Sequence, residues 1–434
     1  MFCALAACAL ATASMMRERN LSPPPQEKAQ PVLSIERERA PRSPRESRRL
    51  NIVLITIDTL RWDLGYMGYP RAITPSLDAL AERAVVFEHA YATASYTPKS
   101  LGPLLIGRYA SETFRDREHY TTFYPANVFV AERLSDAGYR TIGVMGHHYF
   151  KWKTGFAQGF EVWDTSTVPD QTSDNDPTIT SETLTDIAIR EIREDDGRRP
   201  FFLWVHYLDP HSPYVPHEGA PDLGPTLPDA FPGRDLYDGE VRFTDEHVGR
   251  LVDFVSSAGR NDDTAIIVTA DHGEAFGERG FVRHGRELWE SITRVPLIVY
   301  VPGARSHRVK VKRSHIDVVP TLLDLAELAS PEDVSLRGRS LLPDVEADSD
   351  IEREERDVYL DMPGGPFNEA RRALITGATP GKKLIELGPD RYELYDLATD
   401  PLEATKLNDP ALRREAIERL ELLRRDLEER PPSP

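Results

Sequence analysis

The chain has 434 residues, 40% of them hydrophobic and 29% charged, with a formal net charge of −18. That length supports one large α/β domain with a smaller appendage. The acidic balance argues against a nucleic-acid partner, and no run reaches the ~20 apolar residues that span a bilayer.

The N-terminus comes first. Residues 1–14 are apolar and rich in small side chains, and read as the end of an export or lipoprotein signal. Leu5-Ala6-Ala7-Cys8 resembles a bacterial lipobox, which would put a lipid on Cys8 and attach the chain to a membrane; Ala11-Thr12-Ala13 would suit signal-peptide cleavage instead. Neither has a basic segment before it, and the apolar run ahead of Cys8 is short. Either reading predicts an exported protein, periplasmic or anchored to the cell envelope. Cys3 and Cys8 are the two cysteines, so the body of the chain has no disulfide, no cysteine nucleophile and no thiolate ligand. Residues 15–49 are rich in Pro, Arg, Glu and Ser, cannot bury a core, and read as a disordered linker.

The folded part is expected from Leu50. Asn51–Ile57 is a run of aliphatic and β-branched residues that ends abruptly in Asp58-Thr59. Such a run reads as a strand buried on both faces of a parallel sheet. Pro75 opens a helix that runs to Ala84. Val128–Ala137 is another helix, stopped by Gly138, and Tyr139–Val144 the next strand. Ser181–Arg193 is helical, Pro200–Tyr207 a strand, and Tyr237–Ser257 a long amphipathic helix. Ala265–Ala270 is a second buried strand, ending in Asp271-His272-Gly273-Glu274, and Val295–Val301 a further strand. Alternating strands and helices predict a large, mostly parallel sheet sandwiched by helices over residues 50–343. Residues 344–434 change texture: short strands at Asp357–Leu360, Arg372–Ile375, Lys383–Glu386 and Arg391–Tyr395, then a helix from Asp409 to Glu429. They predict a small antiparallel α+β subdomain. There are no internal repeats.

Ligands in open α/β sheets bind past the carboxyl ends of the strands. A lone Asp there is usually a helix cap. Two of them, one followed at once by His, point to a metal.

Three further segments join this pair: Ala94-Ser-Tyr-Thr97-Pro-Lys-Ser-Leu-Gly-Pro-Leu-Leu-Ile-Gly107, Trp204-Val-His206-Tyr-Leu-Asp209-Pro-His211-Ser-Pro-Tyr214 and Arg283-His284 through Arg294-Val-Pro-Leu-Ile298. His315-Ile-Asp-Val-Val-Pro, Arg337-Gly-Arg-Ser-Leu341 and Glu393-Leu-Tyr-Asp-Leu follow. In this order and spacing they resemble the sulfatase family of the alkaline phosphatase superfamily, from about Asn51 to Asn408. The resemblance implies an alkaline phosphatase-like fold and a hydrolase of sulfate or phosphate esters. It implies a divalent metal held by Asp58, Asp271 and His272, with Thr59 or the nucleophile oxygen nearby, and His211 and His284 as proton donors or oxyanion binders. A second metal on Asp209, His211 and His284 is a further expectation.

The chain departs from the family where the nucleophile belongs. Sulfatases carry Cys or Ser in a motif that is oxidised to formylglycine. Here Thr97 takes that slot, Lys99 falls on the motif Pro, and Leu101 on its Arg. Ser256-Ser-Ala-Gly-Arg260 matches by letters but sits at a helix end, with Gly259 as its cap. A plain Thr sulfate lacks the geminal-diol exit of the hydrated aldehyde, whereas a Thr phosphate can be released by in-line attack of water or passed to an alcohol. The Thr97 slot lies in a Pro-flanked turn, where a Thr is ordinarily a local hydrogen-bonder. The site therefore reads as a phosphoesterase with catalytic Thr97, His211 and His284, and metal ligands Asp58, Thr97, Asp271 and His272. Lys99, His148 and His206 are the expected substrate-binding groups, with Lys151 an alternative to His148. An imidazole ligand favours zinc or manganese over calcium. A phosphoryl transferase and an inactive glycan binder are the competing readings. Thr165–Thr178 and Val215–Pro232 are expected to be rim loops. No protein partner is evident; the partner is a small-molecule, glycan or lipid ester.

Overall fold

The computed structural model describes residues 49–119, 121–151, 153–168, 178–225, 231–257, 262–328, 336–347 and 353–433. The signal, Cys8 lipidation and nearly all of the linker lie outside the described residues, as does Gly259. Among the described residues no helix is long and apolar enough to cross a membrane.

The core is an eight-stranded sheet in the order His307–Val309, Val85–Phe87, Leu297–Tyr300, Thr264–Ala270, Asn51–Ile57, Phe201–Tyr207, Arg140–Met145 and Val162–Asp164. Every pairing is parallel except the two made by Leu297–Tyr300, which runs against both neighbours. The central strands are buried along their whole length, as their unbroken apolar runs require. One helix group packs Pro75–Glu82 and Ser181–Arg193 on Arg234–Val255; another packs Thr97–Ile106 and Val130–Asp136 on Val318–Leu325. Together they supply the cover that a doubly buried sheet needs.

Register decides where the chemistry goes. Asn51–Ile57 pairs with Thr264–Ala270 in step, Ile57 opposite Ala270. The next residues, Asp58 and Asp271, therefore leave the same sheet edge side by side. On the other flank Thr56 lies opposite His206.

Val358–Met362, Arg371–Thr376, Lys382–Gly388 and Arg391–Asp396 form an antiparallel sheet in sequential order. The helix Pro410–Arg425 packs on it, with the Asp409 carboxylate accepting from the Ala411 and Leu412 amides at 3.0 Å each. A buried ion pair ties this sheet to the body: Lys383 Nζ lies 3.0 Å from Glu290 and 3.2 Å from Glu403.

One segment departs from expectation. The Thr97 stretch is a helix, Thr97–Ile106, with Thr97 as its first residue. Pro98 is tolerated because the first-turn amides have no intrahelical partner. Pro103 sits inside the helix, and Gly107 closes it at φ 78°, its amide bonding to the Pro103 carbonyl. Two prolines and two glycines in eleven residues hid this helix from propensity. Gly102 is set by packing: a Cβ there would meet the Phe123 ring at 2.5 Å. Gly102→Ala should cost about 1–3 kcal/mol by overpacking, read as a lower midpoint in chemical denaturation.

Candidate active site

The site is built at the edge where the two central strands end. Asp58, Asp271 and His272 are fully buried, and one ligand atom from each falls within 4.8 Å of the others. No other such cluster occurs among the described residues. Asp271 Oδ1 accepts from the Thr59 amide at 3.1 Å and the His272 amide at 2.8 Å. Asp58 Oδ2 faces His206 Nε2 at 3.3 Å. The remaining oxygens, Asp58 Oδ1 and Asp271 Oδ2, are buried without a hydrogen-bond partner.

The histidine tautomers follow from their partners. His272 Nδ1 faces the Gly273 carbonyl at 3.1 Å, an acceptor, so Nδ1 carries the proton and Nε2 presents a lone pair. That lone pair lies 3.2 Å from Asp271 Oδ2 and 3.2 Å from Thr97 Oγ1. Burial holds His272 neutral, pushing its pKa down. Two orphaned carboxylate oxygens and a lone pair facing one point is a donor set that a divalent cation satisfies. The charges agree. Burial opposes ionisation of Asp58, but the His206 hydrogen bond and the His211, His206 and His272 rings hold its carboxyl well below the usual range. Burial and the Asp58 charge push Asp271 up. Two carboxylates this close disfavour each other's ionisation, which a cation between them would relieve.

Behind Asp58 runs an oriented chain. The Trp204 indole donates to Thr56 Oγ1 at 2.9 Å, which faces His206 Nδ1 at 2.8 Å. The indole is donor only, so the Thr56 proton goes to Nδ1, and His206 Nε2–H points at Asp58. His206 is fully buried. Its place is beneath the carboxylate, where it orients Asp58; it does not face the cleft as a substrate-binding residue.

Thr97 enters from the N-terminus of its helix, 5% exposed. Ser100, one turn on, donates to the Asp271 carbonyl at 2.5 Å and fixes the helix against the strand end. Thr59 is held in the left-handed region at φ 57°, a strained place for a β-branched residue. Its hydroxyl donates to the Pro210 carbonyl at 2.9 Å, so Thr97 is the hydroxyl beside the cluster.

A cleft of about 390 Å³ opens above, lined at its base by Thr97, His147, His211 and His284. His211 gives Nδ1–H to the Ser212 carbonyl at 2.8 Å. The His284 ring lies 4.4 Å from that of His272 and 5.1 Å from that of His211. Its Nδ1 meets buried Glu274 Oε1 at 3.1 Å, and Glu274 Oε2 accepts from the Tyr214 hydroxyl at 2.8 Å. Burial would depress His284, but the Glu274 carboxylate overrides it and raises the imidazole. The Glu274 pair thus favours the protonated form of His284, which lines the cleft.

Other expected residues are placed elsewhere. Asp209 accepts from the Thr180 amide and hydroxyl at 2.7 Å each and the Ser181 amide at 2.9 Å. It caps the helix Ser181–Arg193 and does not join His211 and His284, so the expected second metal cluster is not assembled. His147, not His148, lines the cleft. His148 stacks behind it with ring centroids 4.3 Å apart. His147 Nδ1 accepts from the Tyr149 amide at 3.0 Å, which directs Nε2–H elsewhere. Lys151 is exposed and is not among the cleft residues. Lys99 turns from the cleft to the Pro363 carbonyl, 2.8 Å, and Asn368 Oδ1, 2.5 Å. Burial and Arg115 bring its ammonium down to about 8. The rim is not formed by the described parts of Thr165–Thr178 and Val215–Pro232. It comes from Phe281–Arg286, with Phe367 of the C-terminal part. Glu274 was legible in the Asp-His-Gly-Glu run, but its partnership with His284 needed the fold; nothing in the sequence pointed to Phe367.

The Sulfatase family matches residues 50–328, and the C-terminal region of N-sulphoglucosamine sulphohydrolase matches residues 277–429. A choline-sulfatase of Rhizobium meliloti is 26% identical, covering 82% of each chain. An arylsulfatase of Clostridium perfringens is 26% identical, covering 88% of this chain and 95% of its own. Among solved structures, a protein in complex with its substrate D-glucosamine-2-N,6-O-disulfate aligns with a TM-score of 0.72 at 20% identity, over 89% of this chain and 99% of the other. A phosphonate monoester hydrolase of Agrobacterium radiobacter aligns with a TM-score of 0.70 at 21% identity, over 87% and 96%. The fold is that of the alkaline phosphatase superfamily, and the site is that of an ester hydrolase. The chain belongs to the sulfatase family.

Two substitutions probe this geometry. Asp271→Asn should abolish tight retention of a divalent cation, read by metal analysis of the purified protein. Thr56→Val breaks the chain behind Asp58 and should weaken metal affinity by roughly 10–100-fold while the fold, followed by circular dichroism, is kept.

Proposed function

We propose that the protein is a metal-dependent hydrolase of phosphoric or sulfuric esters, with Thr97 as nucleophile and a preference for phosphoesters. The observation that supports it is the Thr97 hydroxyl, 3.2 Å from His272 Nε2 and beside the two orphaned oxygens of Asp58 and Asp271. Asp58, Asp271 and His272 would hold the cation, with Thr97 Oγ1 as a further ligand; the mixed carboxylate and imidazole set suits zinc or manganese over calcium. When bound, it would lower the Thr97 hydroxyl pKa and draw charge from the ester's non-bridging oxygens.

The chain's own residues do the rest. The helix that begins at Thr97 points its positive end at the reacting group, which favours an anionic ester there. Thr97 attacks phosphorus as its alkoxide, and the bond to the leaving oxygen breaks. His284, kept protonated by Glu274, hands its Nε2 proton to that oxygen. His211, on the same wall, binds a non-bridging oxygen. Water then attacks in line on the far side of the Thr97–phosphate bond, and neutral His284 takes its proton. Phosphate leaves and Thr97 is restored. A sulfate on Thr97 has no such ready release, because the unmodified side chain has no second hydroxyl to expel it. An exported location fits this reading, since the expected signal precedes the folded part.

The test is a metal-replete panel of aryl sulfate, aryl phosphate and bis-aryl phosphate esters. Phosphoester turnover is expected, reduced by roughly a thousand-fold or more in Thr97→Ala. Aryl sulfate turnover that depends on Thr97 would overturn the phosphoester preference. Phosphoryl transfer to an added alcohol, without net hydrolysis, would make the protein a transferase. Silence on all esters with metal bound would make it a binder of sulfated or phosphorylated glycans.

A further inference from the structure

The cleft has two walls that the reaction itself does not use. One is aromatic. Phe367, 60% exposed, lies over the His119 ring with centroids 3.8 Å apart. His119 Nδ1 is 2.9 Å from the Tyr96 hydroxyl. The segment that carries Phe367 is an arch, closed by the Gly365 backbone amide donating to the Asn368 carbonyl at 2.9 Å and the Asn368 side-chain Nδ2 donating to the Pro363 carbonyl at 3.0 Å. Lys99 pins both ends, through the Pro363 carbonyl and Asn368 Oδ1. Lys99 lies two residues from Thr97 on the same helix turn, so one helix start places the nucleophile and the wall.

The other wall is cationic. Arg283 and Arg286 line the cleft from the turn that carries His284. Both are exposed, and neither guanidinium has a hydrogen bond or ion pair with a described residue. Most other arginines here have a carboxylate: Arg371 has Glu287 and Glu369, and Arg61 has Asp63 and Glu278. In a chain of net charge −18, two unmatched guanidinium groups on one cleft wall lack an anion that the protein does not supply. On the hydrolase reading the ester would sit at the base, over Thr97, which leaves these two groups for an anion elsewhere on the same ligand.

We propose that the cleft selects an ester carried on a ring that bears a second anionic group, with Phe367 stacking on the ring and Arg283 and Arg286 taking the second anion. A flat ring against Phe367 gains contact at little entropic cost, and a carboxylate, sulfate or phosphate suits the forked guanidinium donors. The cleft volume is of the size that holds one such ring or two. This rests on the hydrolase reading only for where the ester sits. Lys99 acts as a positioning residue for the Phe367 arch.

The test measures binding, so it does not depend on turnover. Zinc-loaded Thr97→Ala protein is titrated calorimetrically with phenyl phosphate and with 4-carboxyphenyl phosphate. The carboxylated probe should bind about tenfold tighter at low salt, with the margin shrinking as salt rises. Adding Arg283→Asn and Arg286→Ala should abolish the margin; Asn is chosen because Arg283 has φ 66°, which Asn tolerates. Phe367→Ala should weaken both probes alike, and Lys99→Met should reproduce that loss. Equal binding of the two probes, or a margin that survives the double arginine substitution, overturns the proposal. If wild type hydrolyses no ester but the margin is present, the hydrolase reading falls and this one stands. If hydrolysis proceeds without the margin, the reverse holds.

Discussion

The rest of the structure depends on two carboxylates that leave adjacent parallel strands at the same level and are buried together. Water cannot reach Asp58 or Asp271, and like charges at such distance in a low-dielectric interior repel strongly. The protein offsets this with fixed dipoles: the Thr59 and His272 amides on Asp271, and the Trp204–Thr56–His206 chain behind Asp58. Each of these donors serves one carboxylate oxygen, and one oxygen on each Asp is left open. The strained backbone at Thr59 is part of the same arrangement. Its left-handed φ turns the amide onto Asp271, while the Thr59 hydroxyl and carbonyl are tied to Pro210 and Tyr237. A flexible turn could not hold that amide in place against the cost of the conformation.

Around this pair the reacting groups come from chain segments far apart in sequence, and each is held by a contact of its own. Thr97 is fixed by Ser100 on the Asp271 carbonyl, His272 by the Gly273 carbonyl, His284 by Glu274, and Glu274 by Tyr214. Ring-to-ring contact among His272, His284 and His211 closes the set. The side chains proposed to bind and move protons are thus each held by a fixed partner, an arrangement that lowers the reorganisation a reaction would need.

Much of this was legible in the sequence, because long buried strands leave an unambiguous trace. Asn51–Ile57, Pro200–Tyr207 and Ala265–Ala270 are legible as unbroken apolar runs, within a residue of the strands observed, and the abrupt carboxylate ends of the first and third locate Asp58 and Asp271. The helix of Ser181–Arg193 was read from its period. What was not legible depended on three-dimensional competition for partners. Asp209 stands in a motif that suggested a metal ligand, yet helix amides took its oxygens first. His206 has the chemistry of a binding residue, but strand alternation turned it beneath Asp58 instead of into the cleft. Pairing of Thr56 with His206 across parallel strands is a register fact, invisible along one strand. His147 and His148 are neighbours in sequence, and the local backbone decides which of the two faces the cleft.

Lys99 shows how a departure from the family pattern can be absorbed by the fold. It stands where sulfatases have a proline of the formylglycine motif, and a cation so near the expected nucleophile reads as an anion binder. The helix places it on the side facing the C-terminal segment, where burial forces its ammonium to find fixed acceptors. It finds them in Pro363 and Asn368. The residue that departs from the modification motif therefore links the helix beginning at Thr97 to the arch bearing Phe367. A position that reads as chemistry in sequence has become architecture, and the chemistry left at the site is what Thr97 can do as an unmodified hydroxyl. The proposed phosphoester chemistry fits that constraint: a phosphoryl group taken up and released by two in-line displacements needs no second hydroxyl.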